Sequence, residues 1–183
     1  MGVLRAIQGR SIVEAAKYSA PETLRDGRQV QIRALRPDDR DSLIKAVGRI
    51  GSQSLYRRFF AVKRDFSEKE TSFFVNVDFV NHVALVVVAE ENGQPAIVGG
   101  GRYVVTKNGQ AEVAFAIIDQ YQRQGIGAAL MRHLGVIARA GGLRELVAEV
   151  LPENRPMLKV FEKSGLAMSI KRESGVMHVF LQL

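Results

Sequence analysis

The sequence contains no cysteine, so disulfide bonds, thiolate metal sites and a cysteine nucleophile are excluded. Long hydrophobic runs are missing as well. The longest uninterrupted apolar stretch, residues 83–89, falls far short of the roughly 20 residues that span a bilayer. The first ten residues also lack an apolar core of the length that a secretory signal needs. These absences lead us to expect a soluble cytoplasmic protein with no membrane partner.

Basic residues outnumber acidic ones in the 183-residue chain. Lys and Arg total 26 against 19 Asp and Glu, which gives a net charge of +7 and a pI near 10. Such a surplus attracts anionic partners over long distances. Nucleic acid, a polyphosphorylated cofactor and an acidic protein surface all fit it. Apolar residues at 46% and charged residues at 25% are ordinary values for one globular domain.

The densest basic run is segment 49–64, which holds five Arg and Lys residues and no acid. Aromatic residues interleave with them, as in proteins that bind single-stranded nucleic acid. However, Leu55, Phe59 and Phe60 have helical spacing, which favours a helix with a buried apolar stripe and a basic outer face. The pattern therefore disfavours nucleic acid as the partner.

Periodicity and turn signals predict the order of secondary structure. Residues 1–28 are weakly patterned and predict an N-terminal arm or short helix followed by a turn, and residues 29–183 form the main domain. Asn-Gly turns at 92–93 and 108–109 join three central antiparallel strands. The sequence predicts a single α/β (α+β) domain with a mixed, mostly antiparallel central sheet flanked by helices. Predicted strands cover about 30–35, 83–90, 96–106, 111–118, 143–151, 166–171 and 176–181, and predicted helices cover about 37–48, 52–60, 67–75, 126–140 and 154–164.

The most informative motif is Gln-Arg-Gln-Gly-Ile-Gly-Ala at 122–128, between the third central strand and a long helix. Its small residues leave the first-turn N–H groups of the helix open, and such a helix N-terminus binds phosphate. A plain flexible turn is the alternative. The chain has no P-loop motif. A dinucleotide fingerprint would need glycine where Leu130 stands, and the preceding strands form a meander rather than βαβ, so hydride transfer is a weak second hypothesis.

The spacing Gln-x-x-Gly-x-Gly, placed after a meander, resembles the acetyl-CoA pyrophosphate loop of the GNAT superfamily of N-acetyltransferases. A later family segment is similar at Asn154, Met157, Phe161 and Gly165. The resemblance covers about residues 30–182. Within the superfamily the chain looks most like the catalytic domain of bacterial Pat-type protein lysine acetyltransferases, on the stretches at 26–39, 54–60 and 111–115.

This resemblance implies that acetyl-CoA is the co-substrate and that no metal takes part. Backbone groups near the end of the third central strand would pair with the pantetheine amides, and the loop would hold the diphosphate. Asn154 would either contact the cofactor arm or cap its own helix, and Phe161 would pack against that arm or belong to the core. The implied cofactor-binding residues are Phe115, Ala116, Ile117, Ile118, Gln122, Arg123, Gln124, Gly125, Ile126, Gly127, Ala128, Asn154, Met157 and Phe161.

Acetyl transfer to a lysine needs a base, because a neutral amine with pKa about 10.4 costs about 4–5 kcal/mol at pH 7. Glu112 is the candidate. It begins the strand that leads to the loop, and alternation places it on one face with Ala114 and Ala116, whose small side chains leave space. The resemblance implies the same role. A solvent-exposed carboxylate at a strand end is the structural alternative.

Other ionisable residues rank below Glu112. The three histidines, His82, His133 and His178, have no helical metal spacing and are individually more often structural. Many superfamily members have a tyrosine general acid where this chain has Phe161, so the general acid stays unassigned. Candidates that could reach in from elsewhere are Tyr56, Tyr103 and Tyr121.

The sequence therefore predicts an acetyl-CoA-dependent N-acetyltransferase that works by direct attack in a ternary complex, although a serine intermediate is not formally excluded. By resemblance, the acceptor is a lysine side chain of another protein, such as an AMP-forming acyl-CoA synthetase. The alternatives are acetylation of a small amine, a non-catalytic acyl-CoA sensor and a basic nucleic-acid-binding module. Oligomeric state and acyl-chain preference are left open.

Overall fold

A computed structural model describes residues 15–61 and 65–183. Eight strands form one sheet in the order β1-β2-β3-β4-β5-β6-β8-β7, antiparallel throughout except for the β5–β6 pair. The strands are β1 (Ser19–Thr23), β2 (Gln29–Ala34), β3 (His82–Glu91), β4 (Gln94–Lys107), β5 (Gln110–Ile117), β6 (Glu145–Val150), β7 (Ala167–Glu173) and β8 (Val176–Gln182). The helices are α1 (Arg40–Gly48), α2 (Ser52–Phe59), α3 (Glu68–Val75), α4 (Ile126–Ala140) and α5 (Arg155–Glu162).

Strand β1 was not predicted. The prediction of an arm or short helix for the first 28 residues is wrong at 19–23, where the chain pairs with β2 in antiparallel register, while its first 14 residues lie outside the described part of the chain. Periodicity misses this strand because Pro21 interrupts it. Proline is tolerated there because β1 is an edge strand. The predicted turn follows at Gly27, with φ +88°.

The central meander agrees with the prediction. Strand β3 is almost completely buried. This agrees with its run of β-branched residues, which predicts a strand covered on both faces. The turn after it has φ +52° at Asn92 and +76° at Gly93, the two positive values that a type I′ hairpin demands. The other predicted strands and the five helices are found close to their expected positions.

Helices cover both faces of the sheet. A Cβ atom added to Gly101 on β4 would lie 3.0 Å from a methyl carbon of Leu134, so α4 covers that face. The neighbouring Arg102 points to the opposite face, where it donates to the Phe74 carbonyl of α3. Helix α4 is buried along most of its length, with Leu130 and Leu134 fully enclosed. None of the described helices is long and apolar enough to cross a bilayer.

Strands β5 and β6 are neighbours over only three residue pairs, from Gln110–Glu145 to Glu112–Val147. Beyond that point β5 continues along β4 to Ile117, while β6 stays paired with β8 through Val150. The two strands therefore separate after Glu112. This separation is the feature of the fold that makes room for a site.

A salt bridge fixes the connection from β2 to the helices on the Arg102 face. Arg33 donates two hydrogen bonds of 2.7 Å to the Asp39 carboxylate, which also accepts the Arg36 backbone N–H at 2.7 Å. Burial opposes ionisation of Asp39, but these donors outweigh it and lower the pKa of Asp39. A carboxyl group with a lowered pKa in the folded state stabilises the fold above its unfolded pKa, and the stabilisation is lost as pH falls through the folded pKa.

The Asp39→Asn variant tests this contribution. We expect it to lower the free energy of unfolding by about 2–3 kcal/mol at pH 7, because the Arg33 guanidinium loses its charged partner. The difference from the wild-type protein should shrink as pH falls below about 4, because the unfolded Asp39 carboxyl group then takes up a proton before the folded one does. Urea denaturation of both proteins at pH 7 and pH 3 measures it. A difference that stays the same at both pH values would show that the carboxylate charge is not the source.

Candidate active site

The separated strands enclose a cavity of about 580 Å³. Small-molecule sites in proteins measure about 300–1,000 Å³. One wall is β5 from Glu112 to Ile117, and the opposite wall is the end of β6 together with α5. The N-terminus of α4 closes one end. The cavity thus joins the predicted base, the predicted phosphate loop and the later family segment, which are far apart in the chain.

The phosphate loop has the predicted geometry. Gly125 is the N-cap of α4 and has φ +94°, a conformation that favours glycine. Gly125 has no side chain that could cap this helix, so the first-turn N–H groups are available to a ligand. Gly127 allows close packing, because a Cβ atom there would lie 3.1 Å from a methyl carbon of Val160 on α5.

The side chain of Gln122, one of the implied cofactor-binding residues, is held by contacts inside the protein. Its side-chain amide nitrogen lies 3.0 Å from the Ile117 carbonyl and 3.1 Å from both Ser54 Oγ and Asp119 Oδ1. These contacts tie the loop to the end of β5 and to α2. The side chain therefore holds the loop in place.

Arg25, from the turn between β1 and β2, also contacts the loop. Its backbone N–H donates to the Gln124 carbonyl at 3.1 Å, and its guanidinium donates to the Arg123 carbonyl at 3.2 Å. The side chain runs beside Gly125, where an added Cβ atom would lie 3.9 Å from Arg25 Nε. Sequence reasoning missed this residue, because it is separated from Arg123 by 98 positions and belongs to no motif.

The cavity wall is strongly cationic. Seven basic side chains border it against two carboxylates, Glu112 and Glu149. Such a surplus favours an anionic ligand. The basic residues are Arg25, Arg57, Arg58, Arg123, Arg155, Lys159 and Lys163.

The structure agrees only in part with the predicted helix of segment 49–64, which was expected to have a buried apolar stripe and a basic outer face. Leu55 is buried, as the apolar stripe of α2 requires, but Arg57 and Arg58 are partly buried and line the cavity. The prediction of a basic outer face is therefore wrong at these two positions, because β5 and the cavity lie against that side of α2. Residues 62–64 of the segment lie outside the described residues.

Glu112 stands where β5 and β6 part, as the last residue of their shared ladder. It is exposed, and the cavity surface includes it. Ala114 and Ala116 follow it along the same face of β5 and are partly buried. Burial lowers the pKa of Arg58, and the nearby Glu112 carboxylate opposes that shift. The carboxylate is thus open to a ligand and faces a guanidinium.

The later family segment forms the wall opposite β5. Asn154 caps α5, with its side-chain oxygen accepting the Met157 N–H at 3.4 Å. Met157 is partly buried and lines the cavity. Phe161 is 1% exposed and its ring centroid lies 6.1 Å from that of Phe115, so it is a core residue that also borders the cavity.

Two of the implied cofactor-binding residues lie away from the cavity surface. Ile118 is fully buried, and its backbone N–H donates to the Val98 carbonyl at 3.1 Å. The backbone carbonyl of Gln124 accepts a hydrogen bond from the Arg25 N–H. The other twelve implied residues and Glu112 border the cavity. Four of the twelve are nearly or fully buried and contribute little exposed surface: Phe115, Ile126, Gly127 and Phe161.

The histidines are held in structural contacts. Burial, reinforced by Arg102, lowers the pKa of His82 to about 4. His133, on α4, contacts Tyr18 and lies 2.7 Å from Glu22, which ties β1 to that helix. His178 lies 3.6 Å from Glu149. Across residues 15–61 and 65–183, no three His, Asp or Glu side chains are grouped so that they could hold a metal ion.

Of the tyrosines proposed as general acids, Tyr121 borders the cavity, beside the phosphate loop. Burial raises the pKa of Tyr103 to about 12, and its hydroxyl lies near Gly141, at the other end of α4. Tyr56 is 40% exposed and lies outside the cavity lining. The general acid therefore stays unassigned.

Comparison with known proteins agrees with this geometry. The sequence model of the Acetyltransferase (GNAT) family matches residues 52–166. Acetyltransferase PA5475 from Pseudomonas aeruginosa is 34% identical over 137 residues, 74% of each chain. Acetyltransferase Pat from Mycolicibacterium smegmatis is 30% identical over 158 residues, which are 85% of this chain and 46% of that protein. The crystal structure of the GNAT domain of S. lividans PAT superposes with a TM-score of 0.82 at 32% identity, covering 90% of this chain and 97% of that one.

The chain therefore belongs to the GNAT acetyltransferase family and is related to Pat-type enzymes. The predicted fold class is confirmed: a mostly antiparallel eight-stranded sheet flanked by five helices. The family uses acetyl-CoA as acetyl donor. The helix N-terminus at Gly125 and the cationic wall fit the phosphate groups of such a molecule.

The Arg25→Gln variant tests whether Arg25 contributes to binding these phosphate groups. We expect the dissociation constant for coenzyme A to rise by up to about fivefold, the size of an exposed ionic contact. Isothermal titration calorimetry at low and moderate salt measures this change, which should decrease at higher salt. Arg139→Gln, at the exposed C-terminus of α4, is the matched control. Equal affinities for the Arg25 variant and the control would limit Arg25 to holding the loop.

Proposed function

We propose that this protein transfers the acetyl group of acetyl-CoA to a lysine side chain of another protein, with Glu112 as the general base. The observation that carries this proposal is the position of Glu112 at the point where β5 leaves β6. There the carboxylate borders the cavity and remains exposed to an incoming amine.

The chemistry requires one proton acceptor and one electrophile. A protonated lysine must lose a proton before its nitrogen can form the new bond to the acetyl carbon, and a carboxylate at Glu112 accepts that proton directly or through water. As the carbon–sulfur bond breaks, the attacking nitrogen loses its second proton to the departing sulfur or to water. The thiolate leaves readily because a thiol has a pKa of only about 8.5. The neighbouring Ala114 and Ala116 leave space beside the carboxylate for the reacting groups.

Placement of the co-substrate follows from the edge of β5. From Val113 to Ile117 the strand keeps its ladder with β4 but has none with β6. Its polar groups on the β6 side need other partners, and the amides of an extended pantetheine arm can supply them. This stretch rises about 3.3 Å per residue and connects the side of Glu112 with the side of the loop at Gly125. An extended arm that follows it would therefore run from the loop towards Glu112. Catalysis is then chiefly the placement of amine against thioester.

Direct attack in a ternary complex agrees with the nucleophiles that are present. The chain has no cysteine. The serine that borders the cavity, Ser54, donates its hydroxyl to Asp119 Oδ1 at 2.9 Å and lies 3.1 Å from the Gln122 amide nitrogen. Its contacts make it part of the support of the loop. An acetyl-enzyme intermediate is therefore not needed in the proposal.

Two observations support a protein lysine as the acceptor: the names of related proteins and the net charge of this chain. Two related proteins bear the name Pat, and the chain matches about half the length of the one from M. smegmatis. A net charge of +7 favours docking to an acidic protein surface. An AMP-forming acyl-CoA synthetase is the partner class that the resemblance to Pat-type enzymes suggests.

The Glu112→Gln variant tests the base. We expect kcat to fall by about 100-fold or more, because the amide cannot accept the proton, while the affinity for coenzyme A stays nearly constant. Steady-state kinetics with a lysine acceptor and calorimetry with coenzyme A measure the two quantities. Glu90→Gln, an exposed glutamate at the far end of β3, is the control and should keep wild-type activity. Undiminished turnover in Glu112→Gln would remove this residue from the mechanism.

The acceptor class needs a separate experiment. Isotopically labelled acetyl-CoA is added to a cell lysate with the wild-type protein or with Glu112→Gln, and mass spectrometry locates the label. We expect wild-type-dependent label on particular protein lysines, including those of a purified acyl-CoA synthetase tested in parallel. Label confined to small amines would replace the protein acceptor with a metabolite. Coenzyme A binding without any label transfer would make the protein a sensor.

A further inference from the structure

A second, smaller cavity of about 80 Å³ lies on the Glu112 face of the sheet, under α1, α2 and α3. It adjoins the main cavity at Arg58, Ala114 and Ala116, which border both. In the β4–β5 register Arg102 lies opposite Ala114, two residues along β5 from Glu112. The smaller cavity therefore lies beside the stretch of β5 that runs from the proposed base towards the phosphate loop, on the β4 side of that strand.

Two guanidinium groups border this cavity. The Arg58 guanidinium lies 4.8 Å from the centre of the Phe59 ring, and that of Arg102 lies 4.8 Å from the centre of the Phe74 ring. Arg102 donates to the Phe74 carbonyl at 3.1 Å and lies 3.0 Å from His82 Nε2. Burial, together with the charge of Arg58, lowers the pKa of Arg102 to about 10. Both cations thus lie against aromatic rings and are partly shielded from water.

In the part of the chain that the structure describes, neither arginine has an anionic partner of its own. Among residues 15–61 and 65–183, no Asp or Glu side chain forms an ion pair with Arg58 or Arg102. Glu112 acts on Arg58 electrostatically, but in the proposed function it must accept a proton. The preceding residue, Arg57, has a buried Nε–H with no hydrogen-bond partner. Buried cations usually have a counter-charge.

This arrangement is unfavourable for a lysine acceptor that arrives alone. An ammonium group that approaches Glu112 also approaches two guanidinium groups, which repel it. An anion that comes with the acceptor removes this repulsion and supplies the missing partner. The volume is suited to a small group, since a water molecule occupies about 30 Å³ in the liquid.

We propose that the small cavity between the sheet and helices α1, α2 and α3 binds a carboxylate that the acceptor carries close to its reacting amine, with Arg58 and Arg102 as its partners. The proposal deepens the proposed function and rests on it. A guanidinium presents two parallel N–H groups to a carboxylate, which makes the contact selective for this planar anion. The carboxylate can be an Asp or Glu side chain next to the acceptor lysine, or the α-carboxylate of a free amino acid.

Matched acceptors test the proposal. Blocked five-residue peptides with one central lysine carry Asp or Glu at a flanking position, and their controls carry Asn or Gln there. Free lysine and its carboxamide form the corresponding small-molecule pair. We expect kcat/KM to be about tenfold or more higher for the carboxylate member of a pair, mainly through KM, because a charge-assisted hydrogen bond is gained. A preference among the peptides identifies an acidic side chain as the source, and one confined to free lysine identifies the α-carboxylate.

The Arg58→Gln variant connects this preference to the cavity. We expect the ratio of kcat/KM between carboxylate and carboxamide acceptors to fall towards one, and Arg58→Lys to keep part of it. The ratio is the informative quantity, because any effect of Arg58 on Glu112 changes both members of a pair equally. Arg139→Gln should keep the wild-type ratio. Arg58 is preferred to Arg102 for substitution because Arg102 also holds the Phe74 carbonyl.

The outcomes separate the two proposals. If carboxylate acceptors and their carboxamide controls are turned over with equal kcat/KM, the carboxylate site is overturned and the acetyltransferase proposal stands. A preference that persists unchanged in Arg58→Gln would overturn the assignment to this cavity. If the wild-type protein acetylates none of these peptides or amino acids, nor any protein lysine in the lysate experiment, the proposed function itself fails and the carboxylate site fails with it.

Discussion

The separation of β5 from β6 is the constraint on which the candidate site depends. Each strand keeps a ladder on its other side, β5 with β4 and β6 with β8, so the fold remains closed while the two strands part beyond Glu112 and Val147. Backbone groups left unpaired by such a gap need partners. In an acetyltransferase of this family, an acyl-CoA with its own amides can supply them. The same gap brings Glu112 next to the cavity, so the binding and the chemistry that we propose share one structural origin.

Charge divides the site into two parts. On one side of Glu112 the cavity leads to the N-terminus of α4 and to Arg25 and Arg123, which suit phosphate groups. Towards β4, under the helices, Arg58 and Arg102 lie against aromatic rings, where a charge interacts more strongly than at the surface. The positive net charge of the chain is thus not evenly spread. Part of it lines the cavities and faces the groups that we propose the protein binds.

The sequence predicted local structure well and long-range contacts poorly. The Asn92-Gly93 turn, the glycine loop at the start of α4 and the Asn154 cap were all foreseen, because each signal lies within a few residues of the structure it specifies. Strand β1 was missed, since an edge strand with a proline carries little periodicity. The basic face of α2 was placed outward, because helical spacing alone does not tell which side of a polar face meets another element.

By itself, the sequence determined the class of the fold and the glycine turn at the start of α4, and it supplied the candidate phosphate loop and the candidate base, since turn residues, alternation and motif spacing act over short stretches of chain. The tertiary structure decided the rest. It brought Arg25 to a loop 98 positions away, engaged Gln122 in holding that loop, and placed Arg58 beside Arg102 and Glu112. These contacts depend on how strands and helices pack, and packing is settled by the burial of the whole core rather than by any local pattern.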